Sequence, residues 1–203
     1  MSRQQRNFFE GGIYHVIVRG HNRSCIFAVQ SDKVFFLELL RKASIEHGVS
    51  ILYYVLMDNH YHLVLRQDTG SISHFMQFVN QGYSRHYNYR NQRSGAVYGK
   101  RFTDFFVEDQ RYLEQLMLYI ANNPVKAGIA KSPSRYRWSA HFEILSKAKS
   151  RYQLVAKPVL FEILGFTVEE GLKRYLQIFN DNGAYLEKLS GPDAESLQLL
   201  FEG

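Results

Sequence analysis

The stretch Val49-Ser50-Ile51-Leu52-Tyr53-Tyr54-Val55-Leu56-Met57-Asp58-Asn59-His60-Tyr61-His62-Leu63-Val64-Leu65-Arg66 decides how the chain is read. Two apolar runs rich in β-branched and aromatic residues flank Asp58-Asn59, a dipeptide that suits a tight turn. The pattern predicts two antiparallel strands joined by that turn. In an extended segment successive side chains alternate between faces, so His60 and His62 share one face and Tyr61 takes the other.

Upstream, Ile13 to Val18 lies between Gly11-Gly12 and Arg19-Gly20 and reads as a first strand. Ser31-Asp32 then reads as the cap of a helix, because Val34, Phe35, Leu37, Leu40 and Ala43 recur near helical spacing. Downstream, Ser71 or Ser73 caps a second helix through Phe75, Met76, Phe78, Val79 and Tyr83, and Phe102 to Val107 reads as a fourth strand. A third helix begins near Asp109 and is expected to stop by Asn123, since Pro124 disfavours helical dihedrals in the residue before it. The order βαββαβα suits an α+β, ferredoxin-like (RRM-like) fold: one antiparallel sheet with helices on one face. That places one unit over residues 1–145 and a mostly helical extension over 146–203.

The chain of 203 residues is 45% hydrophobic and 22% charged, enough apolar material for a core, which excludes a disordered tail or a fibre. Its single cysteine, Cys25, excludes an internal disulfide and reads as a small buried residue. The opening residues lack the apolar stretch of a signal peptide, and no run approaches the roughly 20 apolar residues that span a bilayer. A soluble, reduced, cytoplasmic protein with no membrane partner is expected.

Net charge is +6 and unevenly spread: residues 1–160 hold 22 Lys/Arg against 11 Asp/Glu, residues 161–203 hold 3 against 8. Between Thr69 and Thr103 there is no acid. In that span Arg85, Arg90, Arg93, Lys100 and Arg101 are interleaved with Tyr83, Tyr87, Tyr89 and Tyr98. Basic groups hold phosphates and aromatic faces stack on unpaired bases, so the interleaving suits a single-stranded or distorted nucleic acid; an ordinary solvated helix and loop fits it as well.

His60 and His62 side by side are half of a divalent-metal site, or else two structural histidines. On the third helix Leu113, Leu116, Met117 and Ile120 form the apolar stripe, and at roughly 100° per residue Tyr119 falls off its centre. Asn123 follows at i+4 on the face of Tyr119. Spacing leaves two readings open: a phenol nucleophile beside an amide ligand, or a residue that flanks the core and one that ends the helix. His15, alternating with Tyr14 on the first strand, has two readings, a place near the His60/His62 pair or a satisfied core histidine, and the core reading is the more general one.

The string Met57 to Leu65, with a hydrophobic residue between two histidines, resembles the HUH motif of the single-tyrosine transposases. Tyr14 to Arg23 resembles that family's first strand and Arg-Gly turn, and Gly99-Lys100-Arg101-Phe102 its fourth strand. Tyr119-Ile120-Ala121-Asn122-Asn123-Pro124-Val125-Lys126-Ala127-Gly128 resembles its tyrosine helix, and Tyr136-Arg137-Trp138-Ser139 its closing segment. The resemblance covers residues 13–140 in order and is strongest to the REP-associated tyrosine transposases. It implies an enzyme that cleaves and rejoins hairpin-flanked single-stranded DNA through a 5′-phosphotyrosine. By position, Tyr119 would be the nucleophile, and His60, His62 and Asn123 would hold Mg2+ or Mn2+. The five basic residues of 85–101, with Arg19 and Arg23 nearer the cleft, are candidates for contacting DNA. Relatives work as monomers or as a homodimer. A nucleic-acid-binding or regulatory protein of the same fold without catalysis is the alternative.

Overall fold

Eight consecutive residues, Val49–Leu56, form a strand buried along almost its whole length, which requires cover on both faces and on its outer edge. The computed structural model describes residues 8–146 and 152–181. Its sheet comprises β1 (Ile13–Arg19), β2 (Val49–Leu56), β3 (His60–Gln67) and β4 (Thr103–Phe106). The strands stand in the order β2-β3-β1-β4 with every pairing antiparallel. This is the ferredoxin-like arrangement expected from the element order.

Between the strands run α1 (Gln30–Glu46) and α2 (Ile72–Arg90), then α3 (Gln110–Lys126). Beyond them come α4 (Ala140–Leu145), α5 (Lys157–Ile163) and α6 (Val168–Asp181). Caps follow the chemistry of the residues: Ser71 accepts from the His74 amide and Asp109 from the Tyr112 amide. In α1 the cap is Val29, two residues earlier than Ser31. Asp32 sits at N3 and accepts from the Val29 and Ala28 amides at 3.2 and 3.0 Å.

Tyr61 is fully buried, with Phe36 of α1 4.7 Å away and its hydroxyl donating to Asn80 of α2. That side of the sheet is the one α1 and α2 cover. The expectation of helices on one face holds for these two and is corrected for α3, which lies on the opposite face, where the Tyr119 ring meets that of His62. The second correction concerns the end of α3: it runs through Pro124 to Lys126. Proline forfeits one backbone bond, but the residue is buried and its carbonyl accepts from the Ile129 and Ala130 amides, so the last turn survives.

The segment after α3 seals the outer edge of β2. The Leu56 amide donates to the Trp138 carbonyl, Val55 bridges to Ser139, and the Ala156 amide donates to the Ile51 carbonyl. The described part of the extension then packs on the sheet: Tyr175 of α6, fully buried, shares hydrogen bonds with Tyr53 of β2 at 2.7 Å and with His141 Nδ1 at 2.8 Å. The rest of the acidic tail expected beyond Asp181 lies outside the described residues. Glu143, also buried, accepts from the Tyr54 hydroxyl and the Val155 amide, both at 2.9 Å.

Burial holds His141 down at about 4, and His15 at about 3, against 6.5 for an exposed imidazole. The unfolded chain therefore takes up protons first as pH falls below 6.5, so stability present at neutral pH declines toward pH 4. The thermal midpoint, followed by circular dichroism, is expected to drop between pH 7 and pH 5, and to drop less steeply in His141→Phe.

Candidate active site

The β2–β3 turn is fastened from three directions. The Asp58 carbonyl accepts from the Ile26 and Phe27 amides, and the Asn59 carbonyl accepts from the Gly20 amide at 2.8 Å. Lys33 of α1, almost wholly buried, donates to Asp58 Oδ1 at 2.7 Å and to the Tyr136 hydroxyl at 3.2 Å; that hydroxyl donates to the Leu56 carbonyl. Gly20 has no substitute here, because a Cβ would overlap the Ser24 carbonyl oxygen. These contacts give the Arg-Gly turn and the Tyr136-Arg137-Trp138-Ser139 segment a shared task, which is to set where β3 begins.

From that fixed turn, His60 and His62 project from the same face with ring centroids 5.1 Å apart. His60 Nδ1 is 2.6 Å from Asn59 Oδ1, and His62 Nδ1 is 2.9 Å from Nε2 of the wholly buried His15. Burial, reinforced by Arg19 opposite His60 in register, holds His60 down at about 4. His62 is pushed below the usual imidazole range by burial first, then by its neighbours His15, His60 and Arg19. Both rings are neutral at physiological pH, the form that donates a lone pair to a metal.

Tyr119 of α3 stands edge-on to His62 at 6.1 Å, half-buried, with Lys126 Nζ 5.5 Å from the centre of its ring. Asn123, one turn further and also half-buried, lies between Tyr119 and Lys126 along the helix. Among the described residues no group of three or more His, Cys, Asp or Glu side chains could hold a metal ion. Two neutral imidazoles are a donor pair that a divalent ion accepts, with further donors left to an amide, a phenol or substrate oxygens.

A model of the IS200-like transposases matches residues 9–123, which run from just before β1 through the two histidines to Tyr119 and Asn123. The chain belongs to the IS200-like transposase family. A REP-associated tyrosine transposase solved bound to a REP hairpin has a similar fold, with TM-score 0.58 at 18% identity over 72% of this chain and 87% of that one. A protein of Deinococcus radiodurans R1 described as a candidate transposase gives TM-score 0.41 at 17% identity, over 60% of this chain and 97% of that one. No curated protein matches the sequence. Among the described residues no helix is long and apolar enough to cross a membrane.

The basic residues of this transposase divide by environment. Arg19 borders the histidines, and Arg23 is exposed in the Arg-Gly turn. Arg85, Arg93, Lys100 and Arg101 are exposed, and the loop that carries most of them runs beside that turn: the His21 amide donates to the Val97 carbonyl, the Gly99 amide to the Arg19 carbonyl. Arg90 is a correction. Its Nε lies 2.7 Å from Asp32 Oδ1 and its Nη2 donates to Oδ2 at 2.9 Å, so it neutralises a wholly buried carboxylate and is committed to the fold. Of the interleaved tyrosines, Tyr83 and Tyr87 point inward and donate to the carbonyls of Ile26 and Cys25, while Tyr89 is 89% exposed. Cys25 is exposed, contrary to expectation, because its carbonyl and not its side chain is the group held by the core.

Sequence placed His15 either near the histidine pair or in the core, and the β1–β3 register brings it onto His62; Lys126, at i+7 from Tyr119, was missed although helical spacing puts it on that face. Arg90→Leu strands Asp32 and is expected to cost about 3 kcal/mol in urea unfolding, whereas Arg93→Leu stays within about 0.5 kcal/mol of the parent.

Proposed function

We propose that this transposase cleaves and rejoins single-stranded, hairpin-flanked DNA with Tyr119 as nucleophile. The observation that supports the reading is the contact between a phenol on α3 and an imidazole of the His60/His62 pair on β3. His60 and His62, with the amide oxygen of Asn123, would hold a divalent ion, Mg2+ or Mn2+. When bound, that ion supplies Lewis-acid neutralisation of the scissile phosphate.

The Tyr119 hydroxyl attacks phosphorus; the bond to the 3′ oxygen breaks, leaving a 5′-phosphotyrosine and a free 3′-OH. Attack by a second 3′-OH reverses the step and joins new ends without an external energy source. A phenol in water titrates near 10, so the reaction at neutral pH benefits from positive potential at the ring. Lys126 supplies it at 5.5 Å, and Arg19 adds positive charge on the phosphate side. Because α3 covers the sheet face that carries the histidines, a substrate strand enters as a thin, bent ribbon, which favours single-stranded DNA over duplex. The REP hairpin on the neighbour of similar fold supports a hairpin as the element that positions the strand. Arg23, Arg93, Lys100 and Arg101, in the Arg-Gly turn and the loop beside it, are assigned to its phosphates, with the exposed Arg85 of α2 as a further candidate. All the reacting side chains come from one chain, so the chemistry does not require a homodimer, and a DNA substrate is consistent with the cytoplasm.

With Mn2+ and an oligonucleotide carrying a hairpin and single-stranded flanks, the wild type is expected to yield a covalent adduct that survives boiling in detergent; Tyr119→Phe and His62→Ala yield none. Cleavage persisting in Tyr119→Phe would make water the nucleophile, and binding without any cleavage by the wild type would favour the non-catalytic alternative. Lys126→Met is expected to slow adduct formation about tenfold, the equivalent of about 1.4 kcal/mol in the barrier, with Lys126→Arg close to the parent.

A further inference from the structure

His15 and His62 are diagonal neighbours across the β1–β3 pair, His15 standing opposite Val64 and His62 opposite Ile17. Their rings are nearly parallel, 13° apart with centroids at 5.1 Å, and His15 Nε2 lies 2.9 Å from His62 Nδ1. His15 is wholly buried and His62 nearly so, which leaves no room for water to replace either partner in this bond. Two imidazoles joined in this way use one proton, and the ring that carries it determines what the remaining nitrogen of His62 presents. If His15 donates, His62 keeps its own proton on Nε2 and offers an N–H. If His62 donates, its Nε2 offers a lone pair.

The neighbouring histidine is itself held in one tautomer. His60 Nδ1 faces Asn59 Oδ1 at 2.6 Å, while Asn59 Nδ2 donates to the Arg23 carbonyl, so the Asn59 oxygen is turned toward the ring. An amide oxygen only accepts; His60 is thereby held with its proton on Nδ1 and a lone pair on Nε2. For the two histidines to present the same kind of atom, His62 must be held in the same tautomer.

We propose that His15 is a positioning residue: through Nε2 it accepts the Nδ1 proton of His62 and fixes the Nε2 lone pair of His62 for a divalent cation. The proposal rests on the reading of His60 and His62 as metal ligands. Outer partners of this kind orient ligating imidazoles and set their tautomer, and their loss typically weakens metal binding about 10- to 100-fold.

The test has two readouts that do not depend on cleavage. In 15N-detected histidine spectra of the wild-type protein at neutral pH, His62 is expected to be protonated on Nδ1, and His15 to be unprotonated on Nε2. In titrations with Mn2+ alone, His15→Phe is expected to bind about 10- to 100-fold more weakly than wild type. His15→Gln, whose amide oxygen reaches the position of Nε2, should recover most of that loss. Protonation of His62 on Nε2, or a folded His15→Phe that binds Mn2+ like wild type, overturns the proposal while leaving the metal reading intact. A wild-type protein that neither binds Mn2+ nor forms the covalent adduct overturns both. Should His15→Phe fail to fold, the wild-type spectra decide.

Discussion

The burial of Tyr61 between Phe36 of α1 and Asn80 of α2 is the constraint from which the candidate site follows. A strand alternates its side chains strictly, so a phenol driven into the helical side compels both flanking histidines onto the other side. A slip of one residue in register would bury both imidazoles against α1 and α2 and expose Tyr61 to α3. The hydroxyl of Tyr61 strengthens the choice, because Asn80 gives it the hydrogen bond that a buried phenol needs.

Around that alternation the structure builds a rigid mount for one turn. Lys33 and the backbone of residues 20, 26 and 27 converge on Asp58 and Asn59, Tyr136 links Lys33 to the Leu56 carbonyl, and the closing segment clips the edge of β2 immediately beside them. Residues far apart in sequence are thereby engaged in setting the first residue of β3. The buried Lys33 is matched by an acid and a phenol, which makes this a specific fastening and not a generic apolar contact. The extension performs the corresponding duty for the opposite face, with Tyr175 bonded to Tyr53 and Gln110 of α3 donating to the Leu164 carbonyl at the end of α5. α3 is therefore held at its start by the end of α5 and carries the Tyr119 ring to His62.

The basic surface shows how composition and structure part company. An acid-free stretch with alternating arginines and tyrosines reads as one nucleic-acid track, yet Arg90, Tyr83 and Tyr87 turn inward to satisfy Asp32 and two backbone carbonyls. What remains exposed is Arg85 and Tyr89 on α2 together with Arg93, Lys100 and Arg101 in the loop that runs beside the Arg-Gly turn. Helical spacing separates these sets only when the buried partner is known, and the acid that claims Arg90 lies 58 residues earlier in the chain.

Local pattern was sufficient for the strands, the caps of α2 and α3, the shared face of His60 and His62, and the i+4 relation of Tyr119 and Asn123, because each depends on periodicity within a few residues. Tertiary packing alone decided that α3 crosses the face opposite α1 and α2, that it continues past Pro124, and that His15 touches His62. Those outcomes depend on register between distant strands and on buried surface outweighing a single lost backbone bond, quantities that no short window of sequence contains.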